Sequence, residues 1–331
     1  MPQPARPGLE PRTSDLDFAH EVAQDLTRTP KQLQARYLYD ELGSSLFEAI
    51  CRLPWYRITR AERRILAAHA ADLLRVLSRG TGVPAPTFVE LGCGSGEKLV
   101  ILIDALHATG GGGRVHLVDI SAQALQHSVR TLSRYARVTV VAHQGTYEAG
   151  LGKATASREA GGPLVILFLG SNIGNFDTQA AQAFLSAIRA TLEPGDFLLL
   201  GADLVKPERD LLLAYDDPLQ VTAAFNRNLL VRINRELGAD FNLDAFAHRA
   251  LWNAEEGRVE MHLESLTDQC VSIPGARSRV RFACGERIWT ESSYKYDLPQ
   301  LARMGRAAGF SIRAQWVDDE ARFALTLFTA A

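Results

Sequence analysis

Glu90-Leu91-Gly92-Cys93-Gly94-Ser95-Gly96-Glu97-Lys98 is the stretch on which the fold turns. A short apolar run, Thr87 to Leu91, precedes it, and an apolar-periodic segment, Lys98 to His107, follows. The stretch therefore reads as the turn between a strand and a helix. Its glycines let the backbone approach a bulky ligand, because no Cβ stands in the way. In a doubly wound sheet such a turn lies at the carboxyl ends of the strands, where ligands bind.

The alternation continues outward. Four glycines lead into a second strand, Val115 to Asp119, whose terminal carboxylate is placed to accept hydrogen bonds from ribose hydroxyls. Ser121 is set to cap a helix running to about Tyr135, and Val138 to Ala142 forms a third strand. A loop of small residues precedes a wholly apolar fourth strand, Leu164 to Leu169. Asp177 caps a helix ending near Leu192, and Glu193-Pro194-Gly195-Asp196 turns into the strand Phe197 to Gly201. Continuous apolar strands between helices predict a parallel sheet covered on both faces.

Before this core, Asp15 to Leu26 reads as a helix capped by Ser14 or Asp15. Arg60 to Leu77 reads as a longer one, ended by Gly80-Thr81-Gly82 and two prolines. After Asp203 the rhythm breaks. Pro207 to Glu236 looks helical, and His248 to Trp252 and Arg258 to Leu266 look like antiparallel strands around the turn Glu255-Glu256-Gly257. A strand from Glu286 to Glu291, a helix from Leu298 to Ala308, and strands Ser311 to Trp316 and Arg322 to Thr329 complete the chain. The expected fold class is α/β, a Rossmann-like core with a second α+β lobe. The core is assigned to 63–205 plus 294–331, the lobe to 13–62 plus 206–293, and 1–12 to a flexible arm.

Two cofactor classes use a glycine turn of this kind. A dinucleotide site needs room for a pyrophosphate and favours G-x-G-x-x-G. Here the third glycine comes early, and Glu90 opens the turn. A carboxylate there repels phosphate but suits a cofactor carrying a sulfonium and an amino group. The pattern resembles motif I of the S-adenosylmethionine methyltransferases. Downstream, Thr146 and Tyr147 follow the third strand, where such enzymes often surround the adenine. Gly170 to Phe176 puts asparagines and flexible backbone at the carboxyl end of the fourth strand.

Composition narrows the partners. Among 331 residues, 36 Lys and Arg balance 38 Asp and Glu for a formal charge of −2, so no basic surplus argues for nucleic acid. Cys51, Cys93, Cys270 and Cys284 are scattered without C-x-x-C spacing, which argues against a zinc site or disulfide framework and for a reducing cytosol. The proline-rich N-terminus has no apolar signal-peptide core, and runs such as Val165 to Leu169 are too short to span a bilayer. A cytoplasmic protein acting on a small molecule, with no metal, nucleic acid or membrane partner and with its oligomeric state left open, is the expectation.

Several segments together resemble the L-histidine Nα-methyltransferases of ergothioneine biosynthesis. They are Tyr39-Asp40-Glu41-Leu42-Gly43-Ser44, Arg52-Leu53-Pro54-Trp55-Tyr56 with Thr59-Arg60-Ala61-Glu62, the glycine turn through Lys98, and Gly170 to Phe176. Tyr215-Asp216-Asp217, Val221 to Asn226, Asn234 to Phe241 and Thr290-Glu291-Ser292-Ser293 extend the match, which runs from about Asp17 to the C-terminus. The resemblance implies a class I methyltransferase core and S-adenosylmethionine as cofactor, contacted by Tyr39, Glu90, Gly92, Lys98 and Asp119, with Thr146 and Tyr147 near its adenine. It implies that Tyr39 lies by the reacting amine and that Asn175 and Tyr215 fix the substrate's amino and carboxylate ends, making these three the catalytic candidates. Tyr56, Glu291 and Ser293 would hold the imidazole, and Met261 would line the side-chain pocket.

The chain departs from the family pattern at Arg57 and Ile58, where Tyr and Pro are common, and at Thr146, where Asp is common. The implied reaction is attack of a neutral amine on the sulfonium methyl, repeated three times to give the trimethyl betaine hercynine. A competing substrate is another aromatic amino acid such as tryptophan, whose indole lacks a second ring nitrogen to pair with Glu291.

Overall fold

Leu164–Phe168, Thr87–Leu91 and Phe197–Asp203 are buried at every position, as strands covered on both faces must be. In the computed structural model, which describes residues 15–77, 85–158 and 162–330, they form the middle of a seven-stranded sheet. Its order is Phe310–Asp318, Phe323–Ala330, Phe197–Asp203, Leu164–Phe168, Thr87–Leu91, Gly113–Asp119, Val138–Gln144. The last five run parallel, while Phe323–Ala330 is antiparallel to both its neighbours. Strand order reverses between Thr87–Leu91 and Leu164–Phe168, so the glycine turn and the segment from Gly170 flank the switch point where such sheets take their ligands.

The chain divides by compactness into two units. One contains Tyr39–Thr222, Ala250–Glu260 and Ser292–Ala331, and holds the whole seven-stranded sheet. Helix Ile58–Leu77 belongs to it and turns Ile58, Ala61, Ile65, Leu66 and Leu73 inward, the stripe of an amphipathic helix. The other contains the described residues up to Leu38, Ala223–Arg249 and Met261–Glu291. Phe241, Phe246 and Phe282 pack there with ring centroids 5.3 to 6.2 Å apart. A four-stranded sheet has the order Lys31–Gln32, Arg287–Tyr294, Arg258–Ser265, Phe246–Asn253.

Ser121 and Asp177 cap their helices as expected, accepting from Ala124 N at 3.3 Å and Ala180 N at 2.7 Å. Two local expectations are corrected. The small-residue loop after the third strand is largely a helix, Tyr147–Ala156, capped by Thr146. Its residues are small because it lies close against the sheet: a Cβ on Gly150 would stand 2.2 Å from Val118 Cγ1. The single helix expected over Pro207 to Glu236 is two, Glu208–Tyr215 and Val221–Leu237. The break holds Gln220 at φ 60°, and the Asp217 carboxylate caps the second helix through Val221 N (3.2 Å) and Thr222 N (2.8 Å). Helix Glu41–Arg52, capped by Asp40, and the hairpin Gln269–Ile273 with Ser278–Phe282 were not anticipated. The arm 1–12, Ser14 and Gly80 to Gly82 lie outside the described residues. Among the described residues, no helix is long and apolar enough to cross a membrane.

Candidate active site

The glycine turn is held in a conformation that side chains resist. Gly92, Gly94 and Gly96 all have positive φ, and Gly92 N donates to Val118 O at 2.8 Å. A Cβ on Gly92 would stand 2.7 Å from Asn172 Nδ2 and 3.2 Å from Tyr147 Oη, so the turn needs glycine for space as well as for φ. Asp119 closes the other side of the turn, accepting from Gly94 N at 3.2 Å and Ser121 N at 2.9 Å. Burial raises its pKa against the pull of those donors.

Glu90 is 2% exposed, and its Oε2 has no hydrogen-bond partner. Burial pushes its carboxyl up to about 8, with Lys98 opposing and Glu62 adding to the rise. A buried polar atom without a partner costs stability unless a ligand completes it. A cationic or amino group fits that position, and a phosphate does not. Lys98 is paired with the fully buried Glu62 at 2.5 Å, and Glu62 also accepts from Gly170 N at 2.8 Å. This node ties helix Ile58–Leu77 to the turns after two sheet strands. Burial would lower the Lys98 ammonium, but Glu62 outweighs it and the pKa is raised. Thr146 Oγ1 accepts from Ala149 N at 3.4 Å as a helix cap, while the Tyr147 ring packs edge-on to Phe168 at 5.3 Å.

A second cluster gathers residues far apart in sequence. Tyr39 lies edge-on to Phe47 (5.5 Å), Phe47 to Tyr56 (6.3 Å), and Tyr56 to Tyr215 (6.2 Å). Tyr215 donates to Ser293 Oγ at 2.7 Å. Lys295, 3% exposed, donates to Tyr215 Oη at 2.9 Å and Ser293 Oγ at 2.8 Å, and pairs with Asp203 at 3.1 Å. Asp203 also holds Lys206 at 2.6 Å, and its backbone N–H donates to Ser171 Oγ. Ser171 itself sits at φ 61°, a conformation uncommon outside glycine, at the start of the turn carrying Asn172 and Asn175. Asn175 is exposed there. Arg57, one of the departures noted above, lines a pocket with Trp55, Asp203, Lys206, Leu211 and Tyr215.

The remaining two candidates belong to the other unit. Met261 is 2% exposed, and its carbonyl accepts from Thr290 Oγ1 at 2.9 Å. Glu291 is half-buried, its carbonyl accepting from Trp289 Nε1 at 3.0 Å.

A family model described as the SAM-dependent, histidine-specific methyltransferases matches residues 18–330, nearly the entire chain. The chain belongs to this family. It is 40% identical to the histidine N-alpha-methyltransferase of Mycobacterium tuberculosis over 94% of both chains. It is 29% identical to the ergothioneine biosynthesis protein 1 of Neurospora crassa over 87% of this chain and 32% of that one. It is 25% identical to the L-tryptophan methyltransferase of Psilocybe serbica over 92% and 90%.

The chemistry of the glycine turn fits the cofactor of a SAM-dependent family: the buried Glu90 acid would be drawn into ionisation by positive charge, and Asp119 stands at the end of the second strand. Four residues that structure these sites were not singled out from sequence: Glu62, Asn172, Asp203 and Lys295. Glu62 carried a legible signal, since it is a carboxylate on the buried stripe of helix Ile58–Leu77. Lys295 and Asp203 carried none, because only the fold brings them together.

Proposed function

We propose that this chain methylates the α-amino group of L-histidine with S-adenosylmethionine, in three steps ending at hercynine for ergothioneine biosynthesis. Family membership and the 40% relative named for that reaction support the reading. The observation that carries it within the chain is the convergence of Tyr39, Tyr56, Tyr215 and Ser293. An amino acid with a polar ring needs hydroxyls and aromatic faces together, and this cluster supplies both.

The cofactor supplies an electrophilic methyl on a sulfonium centre. Around it we assign Glu90 to its positive end, Asp119 to the ribose, Thr146 and Tyr147 to the adenine, and Gly92, Tyr39 and Lys98 to the remaining contacts. Asn175 and Tyr215 hold the amino acid's backbone, and Tyr56, Met261, Glu291 and Ser293 its side chain. Tyrosine faces tolerate an amine that becomes a fixed cation, through cation–π attraction. The work of the chain is then to hold the amine in line with the methyl. By role, the catalytic core is 63–205 plus 294–331 and the substrate lobe 13–62 plus 206–293. Division by compactness instead puts Tyr39 and Tyr56 with the glycine turn. The four unpaired cysteines support a cytoplasmic assignment.

The test is histidine-dependent release of S-adenosylhomocysteine. Asn175→Ala and Tyr215→Phe are each expected to lower kcat/KM by about 10- to 100-fold, the scale of one lost hydrogen bond to a charged group. Full activity in both variants would remove these residues from the site.

A further inference from the structure

Lys295 is absent from the roles just assigned, yet it is among the most enclosed charges in the chain. Its ammonium has three N–H donors, and three acceptors take them: Tyr215 Oη at 2.9 Å, Ser293 Oγ at 2.8 Å and Asp203 Oδ2 at 3.1 Å. The ammonium also lies 4.8 Å from the centre of the Tyr215 ring. It is saturated and has no donor left for a ligand, so its effect must pass through the two hydroxyls.

Those hydroxyls are 2.7 Å apart, and one proton lies between them. Ammonium can only donate, so both oxygens accept from Lys295. A phenol is far more acidic than an alkyl hydroxyl, so Tyr215 donates and Ser293 accepts. Burial raises the Tyr215 pKa despite the neighbouring ammonium, which keeps that proton in place at neutral pH. Ser293 Oγ therefore has both lone pairs engaged. Its own proton finds no acceptor among the described residues, and Ser293 faces any ligand as a donor alone.

We infer that Lys295 is a positioning residue that sets substrate specificity by fixing Ser293 as an obligate hydrogen-bond donor, so that the side-chain ring accepted there must offer a lone-pair nitrogen. This rests on the reading that puts Ser293 at the ring of the substrate. Imidazole has such a nitrogen. Indole has only an N–H, which would meet the Ser293 proton head-on.

The test compares wild type, Lys295→Met and Tyr215→Phe for kcat and KM with histidine. It also compares their affinities for histidine and tryptophan by calorimetry in the presence of S-adenosylhomocysteine. Methionine at 295 does not strand Asp203, which keeps Lys206 at 2.6 Å. Tyr215→Phe leaves every charge in place and frees a Ser293 lone pair, so it serves if the first variant does not fold. The expected result for Lys295→Met is a KM for histidine raised by about 10-fold with kcat changed by less than about 3-fold. In both variants the preference for histidine over tryptophan falls by about 10-fold or more, while S-adenosylhomocysteine affinity is unchanged. An unchanged preference in the folded variants overturns the inference. Failure of wild type to turn over histidine overturns the functional reading beneath it, a separate outcome.

Discussion

The residue with the sharpest consequence is Glu90. Its carboxyl titrates near 8 in the folded chain against an ordinary value of 4.5, because burial disfavours the charge. Between those values the folded state binds more protons than the unfolded one. The stability associated with the neutral acid is thus complete below about pH 4.5 and is lost as pH rises through about 8. Glu90→Gln removes the ionisation. Thermal unfolding should find the variant and wild type within about 0.5 kcal/mol of each other at pH 4, and the variant ahead by about 2 kcal/mol or more at pH 8.5. A gain equal at both pH values would contradict the assignment. The variant should also bind S-adenosylmethionine about 10-fold more weakly, because it has no acid for the cofactor's positive end to draw into ionisation. Glu90 was legible in sequence as the acid that opens a glycine turn. Its missing partner was not, since that depends on what the neighbouring strands leave uncovered.

At the scale of elements, caps and apolar runs were legible and close packing was not. Ser121 and Asp177 were readable because a cap is a local pattern satisfied within a few residues. Helix Tyr147–Ala156 was hidden because its composition answers to the strand beneath it. Gly150 makes this testable. Helix propensity alone favours Gly150→Ala by about 1 kcal/mol. The added Cβ would stand 2.2 Å from Val118 Cγ1 and 2.7 Å from Cγ2, and overpacking of that kind costs about 1–3 kcal/mol. Packing should win, giving a net destabilisation in urea titration, and a stabilised variant would show that the helix sits further from the sheet. The split of Pro207 to Glu236 follows the same logic in reverse. Asp217 looked like one more helical residue until the turn at Gln220 made it a cap.

At the scale of the molecule, the seven-stranded sheet could be read from apolar runs alternating with helical periods, because burial on both faces leaves an unmistakable sequence pattern. The glycine turn was readable because backbone geometry restricts residue choice there. The Tyr39–Tyr56–Tyr215 cluster was reachable only through family resemblance. No local rule joins three tyrosines separated by so much chain, and Lys295 entered only with the fold. All of these features serve one claim, that the α-amino group of histidine receives the methyl. Incubation of the protein with S-adenosylmethionine and an equimolar mixture of histidine and tryptophan, followed by fragmentation mass spectrometry, tests it most directly. The expected result is histidine carrying one, two and finally three methyl groups on the α-nitrogen, with tryptophan unchanged. Methyl groups on tryptophan, or on the imidazole ring of histidine, would contradict the account.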